Sequence, residues 1–537
     1  MSIVSALQSA TATLLQQTFQ LTLAPEDILV NETKPEFEGD YTLVLFPYAK
    51  PLKQSPEALG ETLGKAFVQQ HAGLVSSYNV IKGFLNLVIT DECICQFLQQ
   101  QFGNPGYGQT TPLHRKVMVE YSSPNTNKPL HLGHLRNNFL GWSLAALYQQ
   151  KGYDVVKTAI LNDRGIHICK SMVAWQLFAG GATPESKGMK GDHFVGDYYV
   201  QFGIELKKQI AEGVQKGLTP EAAEKEAPIM KAAQQMLVDW ESGKPEILAL
   251  WKRMNQWVYK GFEETYRRIG SEFDKTYYES DTYLLGKDMV QKGLQKGVFV
   301  KDPDGSVWID LTADGLDRKI VQRKDGTAVY ITQDIGLAEL KQKEFEAEQS
   351  IYVVGDEQNY HFKVLKLICE KLQLPSAKGI FHLSYGMVEL PTGRMKTREG
   401  TVVDADDIVD EMESVAARHT QELGKVKDFS PEELRDLYHQ LGMGALKFFL
   451  LRVEPKKKMV FNPEESIDFH GFTGPFVQYA HARIRSILRK EQPQGLSVSQ
   501  ALLPGEKQLT LLLERYPFHI EEAVKEMNPS IVANYVY

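Results

Sequence analysis

With 537 residues, the chain is too long for one ordinary domain, so we expect two to four domains. Its composition, 43% hydrophobic and 24% charged residues, is typical of a globular protein and excludes collagen-like and low-complexity chains. The net charge of −8 argues against a protein coated in nucleic acid, although phosphate binding needs only a local basic patch.

The first hundred residues predict a small α+β domain. A helix at 3–19 precedes strands at 41–46 and 83–89. Residues 101–108 are dense in turn formers and predict a linker to the next domain.

After this linker the chain alternates strands with helices. Strands are predicted at 116–121, 154–161, 328–332, 350–354 and 382–388, with a helix at 133–149 after the first of them. Strand, helix and strand within about 45 residues indicate a parallel sheet with crossover connections. The sequence therefore predicts an α/β core with a doubly wound (Rossmann-like) parallel sheet.

Two stretches depart from this alternation. Residues 180–268 are polar and helical, and we interpret them as an insertion into the core, with a connecting segment as the alternative. Residues from 431 onward predict helices with little strand signal. We therefore expect three domains: a small N-terminal α+β domain at 1–105, the α/β core at 113–430, and a C-terminal all-helical domain at 431–537.

The cellular context follows from what the sequence lacks. No window approaches the roughly 18 successive apolar residues of a membrane span, and no basic residue precedes Lys34, as one would in a signal peptide. We expect a cytoplasmic protein with no membrane partner. Four cysteines have no zinc-site spacing and are expected to be ordinary thiols: Cys93, Cys95, Cys169 and Cys369.

The run from Ser122 to His134, SSPNTNKPLHLGH, lies where a predicted strand ends and a helix begins. Ligands bind at such points in parallel sheets, and the free N–H groups of a helix N-terminus favour phosphate. Gly133 lets a nucleotide approach the backbone, and His131 and His134 can donate hydrogen bonds to phosphoryl oxygens. The alternative is that both histidines only cap the helix. The strand and the Ser-Pro-Asn turn before them favour adenylyl transfer.

A second motif, GRMKTREG at 393–400, is a basic loop bounded by glycines. Lys396 and Arg398 in such a loop can close over a triphosphate. A solvated basic loop is the alternative. The position of the motif after the last predicted strand, with both halves of a sheet accounted for, favours the phosphate-binding interpretation.

Together the two motifs resemble the signatures His-Ile-Gly-His and Lys-Met-Ser-Lys-Ser of class I aminoacyl-tRNA synthetases, and their surroundings resemble the arginyl-tRNA synthetase family. The similar blocks are VEYSSPN at 119–125, YITQD at 330–334, YVVGDEQ at 352–358 and GPFVQYAHA at 474–482. The resemblance implies a ligase that activates L-arginine with ATP, releasing pyrophosphate, and then transfers arginine to the 3′-terminal adenosine of its tRNA.

The resemblance also implies an arginine site. It places Asn125 at the α-groups of the substrate, and Glu120, Tyr330, Asp334 and Gln358 around the guanidinium. Carboxylates suit this role because they accept the paired N–H donors of a guanidinium. Tyr330 and Asp334 are four residues apart at the start of a helix, so both can face one cavity.

For ATP, the resemblance implies catalytic and nucleotide-binding residues in the two signatures and at the strand ends. The expected catalytic residues are His131, His134, Lys128, Lys396 and Arg398. The expected ATP-binding residues are Gly133 in the first signature, Met395 in the second, Gly355 and Asp356 at the ribose, and Met387 and Val388 at the adenine. We expect Mg²⁺ to accompany the ATP without a dedicated metal site, and no zinc.

The sequence departs from the family pattern at two points. The second signature ends in Arg398 where the class I signature has its final lysine, and Lys128, just before the first signature, stands where arginyl enzymes often carry a replacement. Arg164 occupies the third position of Asn162-Asp-Arg-Gly165, where the family frequently has tryptophan. The sequence offers no physical account of this second departure.

The helical end resembles an anticodon-binding domain, which implies tRNA as a partner. A basic cluster lies there on a predicted helix: Arg483, Arg485, Arg489 and Lys490. A solvated helix face is the alternative for this cluster. Because the chain stops at Tyr537 within what resembles a helix, we expect the domain to be truncated, and we expect a monomer.

Two other functions are compatible with parts of the pattern. A small-molecule nucleotidyltransferase would share the sheet and the first signature, but it would not need a helical domain of this size. A non-catalytic RNA-binding paralogue would keep the domains while losing the histidines or Lys396, and the sequence retains them.

Overall fold

The computed structural model describes residues 2–389, 391, 403–422, 424, 429–468, 470–491 and 501–537. The chain forms two compact units. The first comprises Met1–Gln109 and Ser486–His519, and the second comprises Thr110–Arg485 and Ile520–Tyr537.

The strands, in chain order over the described residues, are β1 (Val30–Glu32), β2 (Tyr41–Val44), β3 (Val75–Ile81), β4 (Phe84–Ile89), β5 (Lys116–Glu120), β6 (Asp154–Leu161), β7 (Lys275–Tyr278), β8 (Val300–Lys301), β9 (Val307–Ile309), β10 (Lys319–Gln322), β11 (Gln349–Gly355), β12 (Ile380–Tyr385), β13 (Val388–Glu389) and β14 (Met459–Val460).

The helices over the same residues are α1 (Ile3–Phe19), α2 (Phe46–Leu52), α3 (Pro56–Gln70), α4 (Asp91–Gln101), α5 (Leu132–Gln150), α6 (Ile166–Phe178), α7 (Pro184–Lys187), α8 (Gly191–Gln215), α9 (Pro220–Glu226), α10 (Pro228–Glu241), α11 (Pro245–Ile269), α12 (Glu279–Thr282), α13 (Lys287–Gln295), α14 (Tyr330–Phe345), α15 (Asn359–Lys371), α16 (Ala405–Glu422), α17 (Pro431–Leu451), α18 (Pro463–Ser466), α19 (Gly474–Lys490), α20 (Pro504–Glu514), α21 (Tyr516–Lys525) and α22 (Ser530–Val536).

The first unit is built on an antiparallel sheet in the order β1-β2-β4-β3. Helix α1 begins after Ser2, whose hydroxyl caps the helix by accepting a hydrogen bond from the Ser5 N–H. Helix α20 contributes the buried Glu514, which accepts hydrogen bonds of 2.6 Å from the Ile3 N–H and from the Tyr41 hydroxyl. Burying a carboxylate without partners would cost folding free energy, and these two hydrogen bonds offset that cost.

The second unit contains a five-stranded sheet in the order β12-β11-β5-β6-β7, in which all neighbouring strands are parallel. The chain builds β5, β6 and β7 in one direction and then adds β11 and β12 on the other side of β5. The order therefore reverses between β5 and β11, and ligands bind outside the carboxyl ends of the strands at such a point. The predicted doubly wound core is confirmed.

One predicted strand is wrong. Residues 328–332 were expected to be extended because they include Val329 and Ile331, but α14 begins at Tyr330. Ala328 makes only an isolated bridge to Gln322. Ile331 and Ile335 are buried four residues apart, so the apolar face of a helix overrides the β propensity of this short run.

A second strand is shorter than predicted. The expected strand at 382–388 ends at Tyr385, because the Gly386 N–H donates to the Pro455 carbonyl instead of continuing the sheet. The chain then forms β13, which pairs with β14. Helices α7 to α11 occupy the stretch that was predicted to be helical, and its role as an insertion stays a prediction. The small sheet of β8, β9 and β10 is absent from the sequence prediction.

Among the described helices, none combines the length and the apolar character that crossing a membrane would require.

Candidate active site

A cavity of about 590 Å³ opens where β5, β6 and β11 end. The five residues predicted to bind the amino acid all line it: Glu120, Asn125, Tyr330, Asp334 and Gln358. They come from β5, from the turn after it, from α14 and from the turn after β11, so the sheet topology brings together residues up to 238 positions apart in the sequence.

Glu120, the last residue of β5, lies at the buried wall of this cavity. Its Oε2 pairs with the ammonium of Lys341, a residue of α14 that is only 2% exposed, and it lies 3.4 Å from the Thr158 hydroxyl. The Lys341 ammonium also lies 5.0 Å and 5.3 Å from the ring centroids of Tyr352 and Tyr277. Glu120 thus already has a cationic partner within the protein, a feature that the sequence analysis did not anticipate.

Asp334 lies one turn into α14. Its Oδ2 is 2.6 Å from Nε2 of His361, a residue near the start of α15. Tyr330, at the first position of α14, is 73% exposed, so it forms part of the cavity mouth rather than the core. Two carboxylates of this cavity therefore each carry one cationic or hydrogen-bonding partner and retain a second oxygen for a ligand.

Glu279 is a third carboxylate of the cavity, and sequence reasoning missed it. It follows β7 directly, as the first residue of α12. Burial raises the pKa of the Glu279 carboxyl to about 7; Arg164 opposes the shift, and Asp163 and Asp334 add to it. A position at the carboxyl end of a parallel strand is the signal that could have identified this residue.

The structure accounts for Arg164, the second departure from the family pattern. Its guanidinium lies 4.1 Å from the Tyr283 ring centroid and 5.2 Å from that of Trp240, and it donates a 2.9 Å hydrogen bond to Glu241. The flat, polarisable guanidinium stacks on these aromatic rings as an indole would. Arg164 thereby adds a positive charge to the cavity wall, and its guanidinium also contacts α10 through Trp240 and Glu241.

The two histidines of the first signature lie side by side at the start of α5, with ring centroids 3.9 Å apart. Nδ1 of His131 accepts the Gly133 N–H at 3.1 Å, and Nδ1 of His134 accepts the His131 N–H at 3.1 Å. Because both Nδ1 atoms are acceptors, a neutral ring carries its proton on Nε2. A Cβ on Gly133 would lie 3.0 Å from the His131 ring, so the glycine makes room for this histidine.

Both imidazoles are held neutral. Burial lowers the pKa of His131 to about 3, with Lys128 adding to the shift and Asp404 opposing it. Burial also lowers the pKa of His134 well below its usual value, with His131 and Lys128 contributing. Each ring is therefore a neutral Nε2–H donor over the physiological pH range, suited to stabilising charge that develops on phosphate oxygens.

Lys128 is half-buried on the turn before α5, and burial lowers the pKa of its ammonium. Lys128 stands three residues before His131 in the sequence, and its charge contributes to the lowered pKa of both histidines. Lys396, Arg398 and Met395 of the second signature lie outside the described residues.

The expected nucleotide contacts lie at the ends of β11 and β12. A Cβ on Gly355 would have no neighbour within 4 Å, so the backbone at the end of β11 is open beside Asp356. The carbonyl of Met387 accepts the Met459 N–H at 3.2 Å, and Val388 is buried in β13. The adenine contacts proposed for these two residues therefore use a segment that is anchored to β14.

Two residues that follow the first signature position the strand ends and were missed by the sequence analysis. The buried Arg136 donates to the Gly386 carbonyl at 2.7 Å, which ties α5 to the end of β12. Asn137 accepts the Ser122 N–H and donates to the Val353 carbonyl, both at 2.6 Å. Asn137 thus holds β5 and β11 together at the point where the strand order reverses.

Three family models match the chain in succession. They are described as the arginyl tRNA synthetase N terminal domain, matching residues 2–89, the catalytic domain of class I (R) tRNA synthetases, matching residues 97–462, and the DALR anticodon binding domain, matching residues 477–537.

Curated relatives match nearly the whole chain. The arginine–tRNA ligase of Flavobacterium psychrophilum is 52% identical over 551 residues, covering 100% of this chain and 91% of that protein. The arginine–tRNA ligase of Bacteroides thetaiotaomicron is 51% identical over 525 residues, covering 96% and 87%.

Solved structures share the fold. The arginyl-tRNA synthetase of Thermus thermophilus superposes with a TM-score of 0.78 at 24% identity, covering 99% of this chain and 89% of that one. The arginyl-tRNA synthetase of Plasmodium falciparum superposes with a TM-score of 0.76 at 16% identity, covering 100% and 90%.

Proposed function

Since the chain belongs to the arginyl-tRNA synthetase family and is an arginine–tRNA ligase, we propose how its residues divide the reaction among themselves. In the first step a carboxylate oxygen of arginine attacks the α-phosphorus of ATP, and pyrophosphate leaves. In the second step a 3′-terminal ribose hydroxyl of the tRNA attacks the arginyl carbonyl, and AMP leaves. The resemblance of the signatures to class I favours the 2′-OH.

The guanidinium of arginine binds among the three carboxylates of the cavity. Glu120 and Asp334 each present the oxygen that their partners Lys341 and His361 leave free, and Glu279 adds a third acceptor. A guanidinium has five N–H donors in one plane and can bind several acceptors on different walls at once. The ammonium of a lysine substrate, a single point of charge, fits such an arrangement less well. Tyr330 closes the mouth of the cavity, and Gln358 adds an amide to its lining.

The α-groups of arginine lie towards the turn after β5. Asn125 lines the same cavity, and it forms an isolated bridge with Asn162, which follows β6. An amide offers both donors and an acceptor, so it can bind an ammonium and a carboxylate at once. This arrangement points the arginine carboxylate towards the first signature, six residues farther along the chain.

The first signature stabilises the transition state of adenylate formation. His131 and His134 donate their Nε2–H groups to oxygens around the α-phosphorus as negative charge develops there. Lys128, Lys396 and Arg398 supply positive charge to the triphosphate, and Gly133 and Met395 belong to the same phosphate-binding segments. Gly355 and Asp356 bind the ribose, and the backbone of Met387 and Val388 binds the adenine.

Mg²⁺ enters with ATP as part of the substrate. Within the described ranges, one group of side chains has metal-ligand geometry, Asp192, His193 and Asp406. The Lys190 ammonium already lies 3.1 Å from Asp192 Oδ2 and 2.6 Å from Asp406 Oδ2, so a protein cation occupies this position. A dedicated metal site is therefore not part of the proposal.

The outer parts of the chain bind tRNA. In the proposal, residues 1–105 and the helical residues 431–537 flank a catalytic domain at 113–430 and contact tRNA, in keeping with the family models that match them. We also propose that the protein acts in the cytoplasm as a monomer, and sedimentation analysis tests the oligomeric state.

The cavity that brings the five expected arginine-binding residues together at the carboxyl ends of the strands carries this proposal. Pyrophosphate exchange into ATP, measured in the presence of the cognate tRNA, tests it. We expect exchange that depends on L-arginine and is absent with citrulline, which replaces the guanidinium by a neutral urea of similar shape. Exchange that proceeds equally with citrulline or lysine would show that the carboxylates do not select the substrate.

The pH dependence of arginine binding follows from Glu279. Its carboxyl has a pKa of about 7 in the free protein, so it is largely protonated at lower pH and ionised at higher pH. A bound guanidinium requires the ionised form, so affinity rises with pH until the group is fully charged. We expect the arginine KM to fall about tenfold from roughly pH 6 to 8, as a single ionisation dictates.

Two variants separate this effect from other titrations. Glu279→Gln should remove the pH dependence of the arginine KM while leaving the ATP KM unchanged. Arg164→Ala should move the midpoint to higher pH, because the positive charge that favours ionised Glu279 is lost. A pH profile identical in all three proteins would assign the titration to another group.

A further inference from the structure

An ionic cluster joins the helical insertion to the segment that carries the first signature. It contains Lys190 and His193 at the start of α8, Arg268 near the end of α11, and Asp404 and Asp406 at the start of α16. These residues lie outside the cavity and outside the residues assigned above to substrate binding. Their contacts nevertheless lead directly to His131.

The first link is a backbone pairing. The Leu132 N–H donates to the Val403 carbonyl at 3.3 Å, and the Ala405 N–H donates to the Leu130 carbonyl at 2.9 Å. His131 and Asp404 are thereby bridge partners on two antiparallel segments. The position of the His131 backbone is consequently set by the segment that contains Asp404.

The second link is an ion pair. His193 Nε2 lies 3.1 Å from Asp404 Oδ2 and 3.5 Å from Asp406 Oδ2, while Asp404 Oδ1 accepts the Asp406 N–H at 2.7 Å. The two carboxylates raise the pKa of His193 to about 10, against the effect of burial, so the imidazole is cationic at neutral pH. Asp404 and Asp406 are only 15% and 14% exposed, so solvent screens these contacts little.

The remaining contacts hold His193 and Asp406 in place. Lys190 pairs with both Asp192, which is fully buried, and Asp406. The Thr265 hydroxyl lies 3.1 Å from Asp406 Oδ2. Arg268 lies 3.7 Å from Asp406 Oδ1. The cluster thus carries cations from two insertion helices, α8 and α11, and carboxylates from α16.

We propose that His193 is a positioning residue for adenylate formation, which acts by pairing with Asp404 and so holding the His131 backbone in place for the phosphate. This proposal rests on the proposed role of His131. It assigns the helical insertion a catalytic purpose: its helices set the geometry of the first signature from outside the substrate cavity. Small displacements of a catalytic group lower the rate while leaving ground-state binding elsewhere intact.

The test uses the full chain and arginine-dependent pyrophosphate exchange. We expect His193→Gln, which removes the charge, to lower kcat by about 10- to 100-fold with the arginine KM unchanged within about twofold. His193→Lys restores a cation and should recover most of the rate. His439→Gln is the matched control: His439 of α17 pairs with Glu413 of α16 at 2.9 Å, and Glu413 contacts Arg268 of the cluster, but neither contacts Asp404 among the described residues.

A second measurement tests whether the two paired backbone segments are held together. Hydrogen exchange at the Leu132 and Ala405 amides should accelerate in His193→Gln and remain slow in His439→Gln, because these amides make the two bonds between the paired segments. In a double-mutant cycle with Asp404→Asn, the losses in kcat should be less than additive.

The outcomes are distinct. Wild-type exchange without arginine dependence would overturn the proposed function itself. Normal arginine-dependent exchange together with an unchanged kcat in His193→Gln, or with unchanged protection of Leu132 and Ala405, would overturn the positioning role. A rise in the arginine KM equal to the fall in kcat, or an equal loss in His439→Gln, would show a general structural role and would equally overturn it.

Discussion

Asp334→Asn is expected to raise the arginine KM steeply while leaving the ATP KM almost unchanged. The variant keeps the shape of the side chain but presents a neutral amide to a guanidinium in a partly closed cavity. Losing one partner of a buried charged contact costs about 2–5 kcal/mol, roughly 30- to 4,000-fold in affinity. The Asp334 side chain is 39% exposed, so we expect an effect near the lower end of this range.

Steady-state pyrophosphate exchange with varied arginine, and separately with varied ATP, measures this effect. The matched control is Glu344→Gln on the same helix: Glu344 accepts a hydrogen bond from the Tyr277 hydroxyl and does not line the cavity. Equal losses for arginine and ATP in Asp334→Asn would mean that Asp334 is structural and that the guanidinium binds elsewhere.

Lys128→Ala is expected to reduce kcat for adenylate formation by about 10²–10³, the loss typical of one preorganised group that stabilises transition-state charge. Lys128 lies beside the first signature, where it lowers the pKa values of His131 and His134. In the proposed function its ammonium compensates for the signature lysine that Arg398 replaces. The arginine KM should change little, because Lys128 is not among the residues that line the cavity.

Single-turnover adenylate formation measures this prediction without interference from product release. The matched control is Lys151→Ala, at the opposite end of α5, where the ammonium pairs with Glu521. A double variant with Lys396→Ala should show less than additive losses if both ammonium groups serve one transition state. A rate within threefold of wild type for Lys128→Ala would leave Arg398 as the better candidate for the missing cation.

Local patterns in the sequence were sufficient to identify four of the five strands of the parallel sheet, β5, β6, β11 and β12, but not β7. The helix at 3–19 and the strand at 154–161 have the predicted bounds, because each follows a clear hydrophobic period with caps or turn residues at its ends. The strand predicted at 328–332 failed because four β-prone residues are too few to outweigh the apolar face of the sixteen-residue helix that they begin.

The residues of the site also divide into those that a sequence motif identifies and those that only the fold identifies. Residues within a contiguous motif, such as His131 and His134, could be assigned from sequence, since their geometry depends on one helix start and its capping bonds. Glu279 could not, because its importance comes from the strand that delivers it to the cavity and not from its neighbours in sequence. Its pKa of about 7 depends on burial and on charges brought from other elements.

The sequence by itself determined the family, the reaction type and the five residues that converge on the cavity, because short motifs and their order along the chain carry that information. Only the tertiary structure decided the electrostatic state of these residues. It showed that Lys341 already pairs with Glu120, that Arg164 stacks on the rings of Tyr283 and Trp240, and that His193 pairs with Asp404, the bridge partner of His131. The reason is physical: charge, burial and pairing depend on distances between residues far apart in sequence, and those distances exist only once the chain has folded.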